Sequence, residues 1–231
     1  MKPLIVAIDG PAASGKSTLG HLLARRLSYL YFDTGVLYRA VSLAALEHGV
    51  SIDDEVSLTE LAERAHIDVI EPTVDDGRFN TVLLDGRDVT WEIRAPAVDA
   101  IVSPVSAVPG VRRALLGQQR RIGRRGRVIL IGRDIGSVVF PDADLKLFID
   151  ASLDVRARRR CQELIERGES VSFEHVLEEM RRRDERDRRK PVSPLVVAPG
   201  AIVLDTTDLS VDEAVDRAAA IVAGQSEASL P

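Results

Sequence analysis

Apolar residues fall into two rhythms along this chain. Leu4 to Asp9, Tyr29 to Phe32, Val128 to Ile131, Leu145 to Ile149 and Ala201 to Leu204 are short, nearly continuous apolar runs rich in branched residues. Runs of this kind predict strands buried on both faces. Between them the apolar positions recur at helical spacing. Lys16 to Leu27 sets Leu19, Leu22, Leu23 and Leu27 on one face, and Gly35 to Glu47 does the same with Leu37, Val41 and positions 43–46. Ser152 to Arg167 and Phe173 to Arg189 also read as helices. Ser210-Val-Asp-Glu213 is a capping box that opens a C-terminal helix. Five buried strands alternating with helices predict an open, doubly wound, parallel α/β sheet.

The middle of the chain breaks this rhythm. Ser57-Leu-Thr-Glu60 reads as a capping box opening a short helix. Ile67 to Ile70 and Phe79 to Leu84 read as strands around the turn Asp75-Asp76-Gly77, with a further turn at Asp85-Gly86. Helices follow at Pro96 to Ala107 and Val111 to Arg124. This stretch is expected to be an insertion at about residues 60–110 in a core of 1–59 and 111–231.

Composition narrows the classes. The single cysteine, Cys161, cannot form an internal bridge, which fits a reducing compartment. Met1 to Asp9 is too short for a signal-peptide apolar region, and no apolar run approaches the ~20 residues of a membrane span. A cytoplasmic location and no membrane partner are expected. A net charge of −5 argues against nucleic-acid binding by bulk electrostatics. Only four of 31 basic residues are lysines (Lys2, Lys16, Lys146 and Lys190), so each lysine is a candidate for a particular task.

Lys16 has the clearest one. Gly10-Pro11-Ala12-Ala13-Ser14-Gly15-Lys16-Ser17 matches the phosphate-loop pattern GxxxxGK[ST] without a gap, after a strand and before a helix. Glycines permit the loop's torsions, and the amides of residues 10–18, Thr18 included, then face phosphates. Lys16 is expected to reach the β- and γ-phosphates of ATP, and Ser17 to hold Mg²⁺. The loop does not identify the acceptor. No NKxD-like base-recognition sequence supports a GTPase. Asp150 could be a metal-binding acid at a strand end, but an Asp there reads more readily as a helix-starting or surface residue.

Other residues suggest a second anion. Asp33-Thr34-Gly35-Val-Leu-Tyr38-Arg39 sits where a strand gives way to a helix, the edge at which α/β sheets bind ligands. Arg39 could fork onto a phosphate or simply be an exposed helix arginine. Ile131-Gly132-Arg133-Asp134-Ile135-Gly136 offers one donor fork and one acceptor between glycines, or a structural ion pair. Eleven arginines and Lys190 lie between Arg156 and Lys190, set against nine carboxylates. Most read as surface pairs, but Arg156, Arg159 and Arg160 suit a short lid at about 156–170 that closes cations over the transferring phosphoryl group. An RNA-binding module and kinases for other small acceptors, such as uridylate or shikimate, remain open on these residues alone.

GPAASGKST, FDTGVLYR, GRDVTWEIR, IGRDIGSVVFPDADLKLFIDAS, ERDRRKPVSPL and VLDTTDLS occur in this order and together resemble the bacterial cytidylate kinase family over nearly the whole chain. The resemblance implies a monophosphate-binding insertion, a short lid and ATP-dependent phosphorylation of CMP and dCMP by direct transfer; a monomer is expected. It implies that Arg39, Arg133 and Lys190 hold the acceptor phosphate. Ser103, Arg112 and Asp134 would read the base, Arg183 and Asp187 the sugar, and Thr34 would lie at the pocket mouth. Lys16 from the phosphate loop, Arg133 from the Gly-bracketed turn and Arg156 and Arg159 from the arginine-rich helix make up the expected catalytic set. The chemistry is coherent, because cytosine offers an amino donor to Asp134 and two acceptors to Arg112, whereas uracil would mismatch both. The chain has Ile131 where the family usually has an acid, Ser137 where it usually has Thr, and Lys190 where it usually has Arg.

Overall fold

The computed structural model describes residues 4–189 and 194–228 and divides into two units, Tyr29–Leu130 and Leu4–Ser28 with residues 131–228. In chain order the elements are β1 (Ile5–Asp9), α1 (Lys16–Leu27), β2 (Leu30–Asp33), α2 (Gly35–Glu47), α3 (Glu55–Arg64), β3 (Ile67–Ile70), β4 (Thr81–Leu84), β5 (Arg87–Asp88), α4 (Pro96–Ala107), α5 (Pro109–Gly123), β6 (Val128–Gly132), β7 (Leu145–Asp150), α6 (Leu153–Glu166), α7 (Phe173–Arg189), β8 (Ile202–Asp205) and α8 (Val211–Ala228). The five long-range strands form one sheet in the order β2-β6-β1-β7-β8. This is the expected open parallel α/β architecture.

In the unit that holds the phosphate loop, β1 pairs in parallel with β7, placing Asp9 opposite Phe148, and β7 pairs in parallel with β8. Val6, Ala7, Ile8, Leu147 and Ile149 are essentially inaccessible, as both-face burial requires. β8 departs from expectation. It is an edge strand whose Ile202 and Val203 are exposed, and only Leu204 turns into the core. Helices α6 and α7 pack through Ala157, Leu164, Val176 and Met180, and Cys161 lies partly buried against that cluster as an apolar filler. The capping box at Ser210 forms as read: Glu213 Oε2 accepts from Ser210 N at 2.9 Å, and Ser210 Oγ accepts from Glu213 N at 3.3 Å.

The other unit is built on α2, α3, α4 and α5 and a three-stranded antiparallel sheet, β3-β4-β5. The third strand, Arg87–Asp88, was not evident in the sequence because two charged residues carry no apolar signal. β4 is shorter than the expected run and starts at Thr81 rather than Phe79. α5 closes onto β3 through polar side chains. Gln118 Oε1 accepts from Ile67 N, and Arg121 Nη2 donates to Ile67 O, so the strand's outer amide and carbonyl are satisfied without another strand. The capping box read at Ser57 is not formed. The helix begins at Glu55, and its cap is Asp54, whose carboxylate accepts from both Ser57 N and Ser57 Oγ. An ionised Asp three residues upstream is the stronger acceptor, and it draws the helix start back by three residues. Among the described residues no helix is long and apolar enough to cross a membrane.

Candidate active site

The phosphate loop runs from the end of β1 into α1 on torsions that its residues dictate. Gly10 has φ +156°, and a side chain there would put Cβ 2.1 Å from Ile149 O. Gly15 has φ +86° and caps α1 with no side-chain acceptor, so the first amides of the helix have no side chain of their own to satisfy them. Ser17 and Thr18 are exposed at this N-terminus. A cradle that a Cβ would fill and an uncapped helix start fit a triphosphate. Ser17 Oγ is a hard oxygen donor of the kind that Mg²⁺ takes together with phosphate oxygens and water.

Cationic side chains hold the loop's carbonyls. Lys16 Nζ donates to Pro11 O at 2.9 Å. Arg156 donates to Ala12 O at 3.3 Å, and Arg159 donates to Ser14 O at 3.5 Å. Thr206 Oγ stands 3.1 Å from Ser14 O and 3.0 Å from Asp150 O, and it receives Arg159 Nη1 at 3.2 Å. The carbonyls of Pro11, Ala12 and Ser14 are thus each engaged by a side-chain donor.

Arg156 and Arg159 engage protein acceptors around the loop. Arg156 is 4% exposed, and its Nε donates to Ala151 O at 2.9 Å. Its Nη2 meets Asp184 at 2.6 Å. A guanidinium has five donors, and here most face protein acceptors, because the carboxylate of Asp184 on α7 is buried and demands a partner. Arg160 pairs at the surface with Glu163. Asp150 is neither a helix cap nor part of any cluster of three or more metal-ligating residues among those described. Its Oδ1 accepts from Ala151 N, and Ser152 caps α6.

In the same unit, Arg133 and Asp134 occupy the turn between β6 and a single widened helical turn at Ile135–Val139. The Asp134 carbonyl accepts from Val138 N and Val139 N, which fixes the residue's backbone. Arg133 Nη1 donates to Asp187 Oδ1 at 2.6 Å. Arg183, one turn earlier on α7, reaches the surface. Even so, its pKa is held below the usual arginine value, first by displacement of water around the guanidinium and then by Arg133, with Arg160 and Arg186 adding and Asp187 opposing. Arg133, Arg183 and Asp187 are thus brought together with cationic charge in excess, an arrangement that an anion relieves.

The second unit assembles the other expected acceptor residues. Thr34 is buried at the start of α2, after Asp33, whose carboxylate accepts from Gly35 N at 2.9 Å. Arg39 on α2 pairs with Asp99 on α4 at 2.6 Å and donates to Ile93 O at 3.0 Å. Arg112 on α5 lies 5.6 Å from the Tyr38 ring centroid and donates to Ser106 O at 3.4 Å. Ser103 is exposed on α4, and its carbonyl accepts from Ser106 Oγ. The end of α4 therefore carries Ser103 and the carbonyl that steers Arg112. Lys190 lies outside the described residues.

Sequence reasoning missed three residues. Thr206 lies within VLDTTDLS but had no role assigned to it, and Asp184 carries no local signature. Asp9 carried one, a carboxylate ending an apolar run. Its side chain is 3% exposed and accepts from Ile135 N and Gly136 N, each at 2.8 Å.

Comparison with known proteins places this geometry. A family model described as cytidylate kinase matches residues 6–224. A cytidylate kinase from Chloroflexus aggregans is 55% identical over 185 residues, covering 80% of each chain. Another from Herpetosiphon aurantiacus is 49% identical over 211 residues, covering 91% of this chain and 90% of its own. Among solved structures, an uncharacterized protein from Eubacterium ventriosum shares the fold with a TM-score of 0.51 at 13% identity, covering 95% of this chain and 98% of its own. The match spans both units and every motif from the phosphate loop to α8, and the chain belongs to the cytidylate kinase family.

Proposed function

We propose that this protein transfers the γ-phosphoryl group of ATP directly to CMP, and to dCMP, releasing ADP and the cytidine diphosphate. The observation that carries the reading is the family match across residues 6–224, joined to the two separate cation sets around the phosphate loop and the Arg133 turn. The loop amides and Lys16 hold the donor phosphates; Ser17 would help hold Mg²⁺, which would supply neutralisation of charge on the transferring group. Arg133 and Arg39 hold the acceptor phosphate, with Lys190 as a third cation, and Arg183 and Asp187 face the sugar. Asp134 accepts from the cytosine amino group, and Arg112 donates to the ring acceptors, with Ser103 beside it. Arg156 and Arg159 act through the loop they support. Transfer needs no covalent enzyme intermediate, because positioning and charge neutralisation supply the catalysis. The protein works as a monomer in the cytoplasm and needs no nucleic-acid or membrane partner.

The test is ADP release from the intact chain with CMP, dCMP, UMP and shikimate offered in turn, beside an RNA-retention assay. Stimulation by CMP and dCMP is expected. Turnover confined to UMP or shikimate, or RNA retention without turnover, contradicts the reading.

A further inference from the structure

The chemistry proposed above leaves Asp9 without a task. Asp9 is the last residue of β1, and its backbone is fixed on both sides. It stands in parallel register with Phe148 of β7, and the next residue, Gly10, is seated so tightly that a Cβ would meet Ile149 O at 2.1 Å. From this rigid root the carboxylate reaches the turn after β6. Oδ1 accepts from Ile135 N and Oδ2 from Gly136 N, both at 2.8 Å. Gly136 is fitted closely. A Cβ there would lie 3.2 Å from Ala198 Cβ, 3.2 Å from Lys146 Cδ and 3.4 Å from Asp9 Oδ2. The two residues that Asp9 grips directly follow Arg133 and Asp134.

We infer that Asp9 is a positioning residue for the acceptor: its two oxygens fix the turn bearing Arg133 and Asp134 against the root of the phosphate loop, so that acceptor-binding side chains and donor loop keep one register. The inference rests on the CMP-kinase reading. Its physical basis is that a carboxylate accepts two backbone N–H groups at once, whereas a neutral amide of the same shape accepts only one and turns a donor toward the other.

Holding a charge here works against stability. Burial pushes the Asp9 pKa up to about 6, against the pull of the Gly136 and Ile135 amides; Asp134 raises it further and Lys16 lowers it. Lys146, whose chain lies beside Gly136, is the other charged group near the grip, and its ammonium donates to Pro199 O. A folded-state pKa above the unfolded value favours folding at low pH, and the benefit disappears as pH rises through 6. At neutral pH the ionised group is therefore a cost that a purely architectural residue need not carry.

Asp9→Asn tests the role in the intact enzyme. At pH 7.5 the KM for CMP should rise about tenfold, as for loss of one charge-assisted hydrogen bond, while the KM for ATP stays within about twofold. As pH falls through 6, wild-type Asp9 protonates and its grip weakens, so the wild-type to variant ratio of kcat/KM for CMP should fall toward one. The titration of the CMP phosphate itself cancels in that ratio. A purely structural role would move the melting temperature but neither the KM split nor the pH-dependent ratio. Should Asp9→Asn fail to fold, Gly136→Ala decides by the KM criterion, since it leaves the carboxylate in place and crowds the gripped amide. Unchanged CMP KM in the folded variant, or equal losses for CMP and ATP, overturns the inference. Wild-type enzyme without CMP turnover in the same assay would overturn the CMP-kinase reading instead.

Discussion

The phosphate loop and the acceptor-side residues are built in different ways. In the loop the proposed binding groups are consecutive, positions 10–18, and most are backbone amides. Side chains such as Arg156, Arg159 and Thr206 hold the loop's carbonyls from outside. The proposed acceptor residues are side chains scattered from Thr34 to Asp187, and within each unit they are held by particular partners: Asp99 for Arg39, Ser106 O for Arg112, Asp187 for Arg133. The first construction is local and tolerates little change within one turn of chain. The second is distributed, so each residue can be weakened separately. Donor and acceptor binding should therefore fail independently.

The largest effect that sharpens this contrast is expected at Lys16. Lys16→Ala removes the charge at the donor phosphates, and its Pro11 contact lies at the loop rather than in the core. Turnover should fall by about 10²–10³-fold or more, with the melting temperature within a few degrees of wild type. Rapid-quench turnover and thermal melting measure both, and near-normal turnover would break the assignment of the loop.

The smallest effect separates two sequence patterns that look alike. Ser210→Ala and Asp54→Ala each remove a formed cap and should each cost about 1 kcal/mol, or roughly 2–4 °C in melting temperature. Glu60→Ala should stay within about 0.5 kcal/mol, because Glu60 closes no capping box. Turnover should be unaffected in all three. A loss at Glu60 equal to that at Ser210 would contradict the observed start of α3.

The same pair shows how far the sequence could be read. Ser-x-x-Glu was right at Ser210 and wrong at Ser57, because a motif does not reveal a stronger acceptor just upstream. The parallel strands were legible, since burial on both faces leaves an unbroken apolar run. β8 is the exception, an edge strand whose run resembles a buried one. The phosphate loop was legible because its chemistry is contiguous. Arg156 and Arg159 were recognised as important, but their partners were not, because an arginine on a helix face does not declare whether it meets a phosphate or a carbonyl. Thr206, Asp184 and the grip of Asp9 emerge only when residues far apart in sequence come together. Arg39, Arg133 and Asp134 stood out by their place after strand ends, whereas roles for Ser103, Arg112, Arg183, Asp187 and Lys190 were suggested by family resemblance alone.

Under the proposed function, a second set of residues reads cytidylate independently of the phosphate loop. The most direct measurement is equilibrium titration of wild-type protein and Asp134→Ala with CMP and, separately, with ATP. Loss of a hydrogen bond to a charged acceptor is worth about 1.5–3 kcal/mol, so CMP affinity should fall roughly 10- to 150-fold while ATP affinity stays within about twofold. Equal weakening of both nucleotides, or unchanged CMP affinity, would contradict the claim.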